Sequence, residues 1–114
     1  MTVSLKIKAL FEEARTIDYT SIGASYVKIG NPTLFPCLSL LISSSLIRSI
    51  WISTDGIKNM ILVPAGSSIP LNISTNKQGI AKLSIPVGTQ FYAKQGSDGA
   101  STSGDISLTI IYGG

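Results

Sequence analysis

Few residues in this chain are suited to proton transfer, nucleophilic attack or metal ligation. There is no histidine, which removes the commonest general base, the Ser/His/Asp and Cys/His pairs and most zinc sites. The carboxylates are Glu12, Glu13, Asp18, Asp55, Asp98 and Asp105. Two of them facing one groove at about 5–10 Å could hydrolyse a glycosidic bond. Asp55, Asp98 and Asp105, however, fall in or beside turn-forming stretches, where aspartate bonds its local backbone. Asp98 and Asp105 also bracket a run of small residues that could offer oxygens to calcium, but their spacing is not that of an EF-hand, and a hairpin loop is the expectation. Cys37 is the single cysteine, so no internal disulfide forms. It sits in an apolar run and reads as a small buried hydrophobe rather than a nucleophile.

Ser43-Ser44-Ser45 reads as a loop leading into the next strand. The sequence contains no G-x-S-x-G, no phosphate-binding P-loop and no dinucleotide fingerprint. No catalytic, metal-ligating or cofactor-binding residue is assigned, no cofactor is expected, and the chain reads as non-enzymatic. The aromatic residues are Phe11, Tyr19, Tyr26, Phe35, Trp51, Phe91, Tyr92 and Tyr112. Trp51 and Tyr92 are the best candidates for a stacking platform for sugars or bases, which needs several rings on one exposed face. Core packing, or a sheet face set against a partner, is the competing expectation.

The elements that must position these residues form one domain, since 114 residues suffice for a single core. Charged residues make up only 13%, about half the usual share, so much of the outer surface is expected to be covered by partner protein. The nine basic residues, Lys6, Lys8, Arg15, Lys28, Arg48, Lys58, Lys77, Lys82 and Lys94, are spread along the chain. They do not cluster as a nucleic-acid footprint would. No targeting segment is expected at the N-terminus. The longest apolar stretch, Leu34 to Ile47, is broken by Pro36 and the serines, and falls short of the ~20 residues a membrane helix needs. Asn72-Ile73-Ser74 matches a glycosylation sequon by chance.

Alternation of apolar and polar residues, period two, runs through most of the chain. Val3, Leu5 and Ile7 suggest a strand or extended arm over 1–14. Further strands are expected over Arg15–Tyr19, Ser25–Ile29 and Phe35–Ile42, the last placing Leu38, Leu40 and Ile42 on one face and Leu41 with Ser39 and Ser43 on the other. The stretch 46–64 reads as a hairpin about Thr54-Asp55-Gly56, because primed turns need positive φ and glycine supplies it. Ile50 and Ile52 share one of its faces; Ile47, Ser49, Trp51 and Ser53 share the other. Ile69, Leu71 and Ile73 alternate in a strand that Pro70 assigns to an edge or bulge. Ala81–Ile85, Thr89–Gln95 and Asp105–Tyr112 complete the set, with a long loop of small residues over 96–104. About eight short strands with regular turn signals predict an all-β fold, a single antiparallel β-sandwich or jelly roll over 15–114.

The segments Ile52-Ser53-Thr54-Asp55-Gly56-Ile57-Lys58-Asn59, Leu62-Val63-Pro64-Ala65-Gly66-Ser67 and Leu71-Asn72-Ile73-Ser74-Thr75-Asn76-Lys77 follow one another in order. Pro86-Val87-Gly88-Thr89-Gln90-Phe91-Tyr92-Ala93-Lys94-Gln95 comes next, and the chain closes on Ser103-Gly104-Asp105-Ile106-Ser107-Leu108-Thr109-Ile110-Ile111-Tyr112-Gly113. In this order of hairpin, proline turn and terminal Tyr-Gly strand the chain resembles small β-sandwich virion structural proteins of tailed bacteriophages, well over 46–113 and loosely over 15–45. The resemblance implies a virion protein made in the host cytoplasm and placed at the head–tail junction, on the capsid as cement or decoration, or at a fibre base. It implies homo-oligomers and contacts with capsid, portal or tail proteins through sheet edges, apolar faces and the N-terminal arm. No small-molecule substrate, nucleic acid or membrane is implied. A glycan- or receptor-binding β-sandwich module is the alternative.

Overall fold

The computed structural model describes residues 9–35, 37–72 and 85–113. They form an all-β sandwich of two antiparallel sheets. The strands are β1 (Ala9–Phe11), β2 (Arg15–Asp18), β3 (Val27–Ile29), β4 (Cys37–Ser44), β5 (Ile50–Ser53), β6 (Ile61–Val63), β7 (Ser68–Asn72), β8 (Phe91–Gln95) and β9 (Asp105–Gly113). One sheet runs β1-β9-β4-β7, with β2 also on β9; the other runs β3-β8-β5-β6. β1 and β2 bond successive parts of β9, Phe11 opposite Ile111 and Arg15 opposite Leu108, so they are one broken edge strand. Residues 9–14 therefore lie along the sandwich; residues 1–8, with Val3, Leu5 and Ile7, are outside the described residues, as are Asn72's sequon partners and the strand expected at Ala81.

The period-two pattern explains which face of each strand turns inward. Leu40, Ile42, Ile106, Leu108 and Ile110 of the five-stranded sheet meet Ile29, Ile50, Ile52, Val63, Phe91 and Ala93 of the other, all buried. Each such aliphatic or aromatic side chain contributes about 1.5–3 kcal/mol by leaving water. Three-residue ladders such as β3 and β6 are too short to stand alone, so this core holds them. Pro70 occurs opposite Leu41 on β7, an edge strand, where its missing N–H removes no ladder bond.

Three local expectations are corrected. β4 begins at Cys37 and continues through Ser44, so two of the three serines are strand residues rather than loop. A register shift between Cys37 and Ser39 changes the parity, and Cys37 is buried along with Leu40 despite their odd spacing. The β5–β6 hairpin forms about Asp55-Gly56 as expected, with Trp51 opposite Leu62 and seven residues between its strands. Gly56 alone there has positive φ, +72°. Asp55 Oδ1 accepts from the amides of Ile57 and Lys58 at 2.8 and 2.9 Å, which carries the chain onward past the glycine. Ser53, expected on the polar face, is buried. Its hydroxyl donates to Asp55 Oδ1 at 2.9 Å and accepts from the amides of Asp55 and Gly56.

Candidate functional site

The densest group of ionisable side chains gathers where β1 breaks into β2. Arg15 Nε donates to Glu12 Oε2 at 2.6 Å, and Nη2 donates to Glu12 Oε1 and to the Tyr112 hydroxyl at 3.1 and 3.2 Å. Nη1 donates to the carbonyls of Ile29 and Asn31 at 3.2 and 2.6 Å. The Tyr112 hydroxyl in turn donates to Glu12 Oε1. A guanidinium has five N–H donors, and all five are occupied. Gly30, at φ +71°, permits this approach: a Cβ there would lie 3.1 Å from Arg15 Cδ.

The electrostatics follow from these bonds. Burial pushes the Glu12 carboxyl up, but the bonds from Arg15 and Tyr112 and the Arg15 charge outweigh it and hold the group below its ordinary value. Burial pulls Arg15 down, and Glu12 more than restores it. Burial, with the nearby Glu12 carboxylate, raises the Tyr112 phenol and the Cys37 thiol, so both stay neutral at pH 7. A depression of about 360 Å³ opens beside the cluster, lined in part by Glu13, Pro32 and Leu34. With its cation fully paired and its thiol protonated, the cluster offers no poised base or nucleophile. Its geometry is that of a clamp joining β2 and β9 of one sheet to the end of β3 in the other.

The four aspartates are hydrogen-bonded as well. Asp98 takes the Ser49 amide at 3.1 and 3.2 Å and the Ser49 hydroxyl at 2.6 Å. Its own carbonyl accepts from Arg48 Nη1 at 2.7 Å. The Ser49 bonds hold the Asp98 carboxyl below its ordinary value. Asp105 accepts from the Ser45 hydroxyl at 3.2 Å, and Asp18 from Thr20 at 2.9 Å. Bonds from the Lys58 and Ile57 amides hold the Asp55 carboxyl down in the same way. Asp55 thus bonds the backbone of its own turn, as expected, whereas Asp98 and Asp105 hold Ser49 and Ser45, which are 49 and 60 residues away in sequence. Among the described residues no group of three Cys, Asp or Glu side chains could hold a metal ion. The 96–104 loop is stitched down: Gly96 donates to the Ser49 carbonyl, and the Ile47 amide donates to the Ser101 hydroxyl.

The two outer sheet faces carry the remaining distinctive chemistry. On the five-stranded sheet three adjacent rows run across the strands. Phe11, Ile111 and Ser39 form one, Thr109, Leu41 and Pro70 the next, and Thr16, Ser107, Ser43 and Ser68 the third. None of these side chains is ionisable. Phe11 is 74% and Leu41 39% exposed. Thr16 and Ser107 bond hydroxyl to hydroxyl at 3.2 Å. Leu34 and Phe35 also stand exposed, Phe35 against the Tyr112 ring at 5.5 Å.

On the four-stranded sheet Leu62, Trp51 and Lys94 form an outward row. Lys94 Nζ stands 4.8 Å over the Tyr26 ring, and Tyr26 meets Tyr92 edge-on at 6.4 Å. The two rings expected as a platform, Trp51 and Tyr92, are thus on one face and both half-buried. Sequence reading missed Tyr26 and Lys94 as their neighbours. Alternation put Lys94 with Tyr92, but only sheet pairing brings β3 alongside. Among the described residues no helix is long and apolar enough to cross a membrane. Comparison with protein-family models, with curated proteins and with solved structures finds no match.

Proposed function

We propose that the protein is a non-enzymatic building block that assembles with copies of itself and with other proteins through the outer face of its five-stranded sheet. The sequence resemblance supports a tailed-phage virion as the setting, with capsid, portal or tail proteins as partners. One observation carries the reading. The chain has nine basic and six acidic residues, yet three successive rows on the centre of that face have no ionisable side chain. Covering those three rows strips no charge of water, the carboxylates of Asp18 and Asp105 standing in the row beyond them, whereas each ion buried without a partner costs several kcal/mol. Hydroxyls bonded to one another, as Thr16 and Ser107 are, stay satisfied when water leaves. The clamp at Arg15 supports the same reading, because its donors are consumed in joining the sheets.

The test is association in solution and its sensitivity to charge at the centre of the face. Light scattering on the eluting protein should show oligomers at roughly 100 μM or below. Leu41→Lys with Thr109→Lys places two ammonium groups on neighbouring strands. It should raise the concentration needed for association by about tenfold or more while circular dichroism stays unchanged. A wild-type protein that stays monomeric, and that does not associate with purified particles, would rule the proposal out.

A further inference from the structure

We propose that the depression over Trp51 binds a pyranose ring of an oligosaccharide. It measures about 320 Å³ and lies on the sandwich face opposite the proposed assembly surface. That is near the lower end for ligand pockets, about 300–1,000 Å³. Trp51 lines it together with Asn59, Lys94, Gln95 and Ser97. A sugar ring is amphipathic in a particular way: its C–H bonds gather on a face and its hydroxyls project around the edge. An indole is a flat, electron-rich partner for that face. Side-chain amides supply both donors and acceptors, which hydroxyls need in pairs.

The polar groups around Trp51 are free for such a ligand and fixed in place. Among the described residues the Ser97 hydroxyl has no hydrogen-bond partner, while Gln95 lies opposite buried Ile50 on the core side of β8 and borders the depression without offering its amide to a ring on Trp51. The Asn59 amide is oriented by the Tyr26 hydroxyl, which donates to its Oδ1 at 2.5 Å and leaves the NH₂ as a donor. Lys94 sits directly opposite Trp51 in the ladder. The Tyr26 ring holds its ammonium without taking all three N–H donors. Gly96 and Ser97 belong to the turn that Asp98 pins to Ser49, so the rim is tied to the strand that carries the indole. A preformed rim lowers the ordering cost of binding. Lys94 is the one cation lining the depression, so phosphate charge finds little to neutralise it, and a nucleotide fits less well than a neutral sugar. This inference does not depend on the assembly proposal.

Trp51 is the sole tryptophan, so its emission reports the site directly. The full chain is titrated separately with chitotriose, cellotriose and maltotriose. At least one should change the emission saturably, with half-saturation of roughly 0.1–1 mM. Amide shifts in a parallel magnetic-resonance titration should centre on residues 51, 59 and 94–97. Lys94→Ala and Asn59→Ala should each raise the half-saturation concentration about fivefold, whereas Val87→Ser, elsewhere on the surface, should leave it unchanged. No emission or amide response to any of the three at about 10 mM overturns the proposal. So do shifts centred elsewhere, or tighter binding of oligothymidylate at the same indole.

Discussion

Across the centre of the five-stranded sheet the outward side chains are phenylalanine, isoleucine, leucine, proline, serine and threonine, and ions enter only at the end row, where Asp18 stands opposite Asp105. Across the four-stranded sheet they include Lys28, Lys94, Trp51, Tyr92 and Leu62. Both faces are backed by the same core, and both obey the same alternation. The difference lies in what each can lose to a partner. The centre of the first can be covered by a protein surface without desolvating an ion, provided the cover stops short of the Asp18–Asp105 row. The second would strand its lysines under such a cover, but a small hydroxylated ligand can use a cation, a ring and amides without removing them all from water. A sandwich can therefore serve two kinds of contact from one core, because side-chain period two decouples the faces.

The strongest way to break that separation is to damage what the faces share. Leu108 is fully buried on β9, between β4 and the broken β1–β2 edge. Leu108→Ala should destabilise the protein by about 2–5 kcal/mol in denaturant titration, through lost transfer energy and the cavity left behind. Association and Trp51 emission should be lost at the same denaturant concentration. Two separate transitions would mean that the sheets fold as independent units.

A smaller break is expected at the clamp. Arg15→Ala leaves Glu12 half-buried without its cation, and two carbonyls and a tyrosine hydroxyl without their donor. A loss of about 2 kcal/mol follows from charged hydrogen bonds of this kind. The pH dependence has a definite sign. Glu12 is held lower in the folded chain than unfolded, so its contribution is complete above the unfolded value, about 4.3. It fades as pH falls through the lowered folded value. Thermal midpoints of the wild type should drop between about pH 5 and pH 3. Glu12→Gln should flatten part of that drop, leaving the share due to Asp55 and Asp98, whose carboxyls are held down as well. A Glu12→Gln curve parallel to the wild type would remove the clamp from the account.

The sequence carried the layers of this fold but not its joints. Alternation alone grouped Leu40 with Ile42 and Ile50 with Ile52 on single faces, and those faces are the buried ones, because a one-residue slip would expose them all. Pro70 announced an edge strand, and Asp55 announced a turn, whereas the long reach of Asp98 to Ser49 and of Asp105 to Ser45 left no local mark. The bulge at Cys37 was not legible, since an extra residue leaves no mark on composition. Nor was the way the loop after Ser53 is held, since only the structure shows the amides of Ile57 and Lys58 bonding Asp55. The clamp joins positions 12, 15, 29, 31 and 112, which no local pattern connects. Of the candidate site, Trp51 and Tyr92 were visible as aromatic residues at outward positions. Their company, Tyr26 and Lys94, depends on β3 and β5 flanking β8.

The finest probe of the comparison acts on one face and leaves the other alone. Asp98 lies in the turn that follows Gly96 and Ser97, and its carboxylate holds the Ser49 amide and hydroxyl two residues before Trp51. Asp98→Ala removes those acceptors from an exposed turn, so global stability should change little. The Ser49 amide, freed from its partner, should exchange with solvent roughly three- to tenfold faster. Loosening the rim should shift Trp51 emission and weaken any sugar response. Association through the five-stranded sheet should be untouched, because Thr109, Leu41 and Pro70 lie on the far side of the core. If the variant altered association as strongly as Leu41→Lys with Thr109→Lys, the faces would be coupled, and the division of labour between them would have to be abandoned.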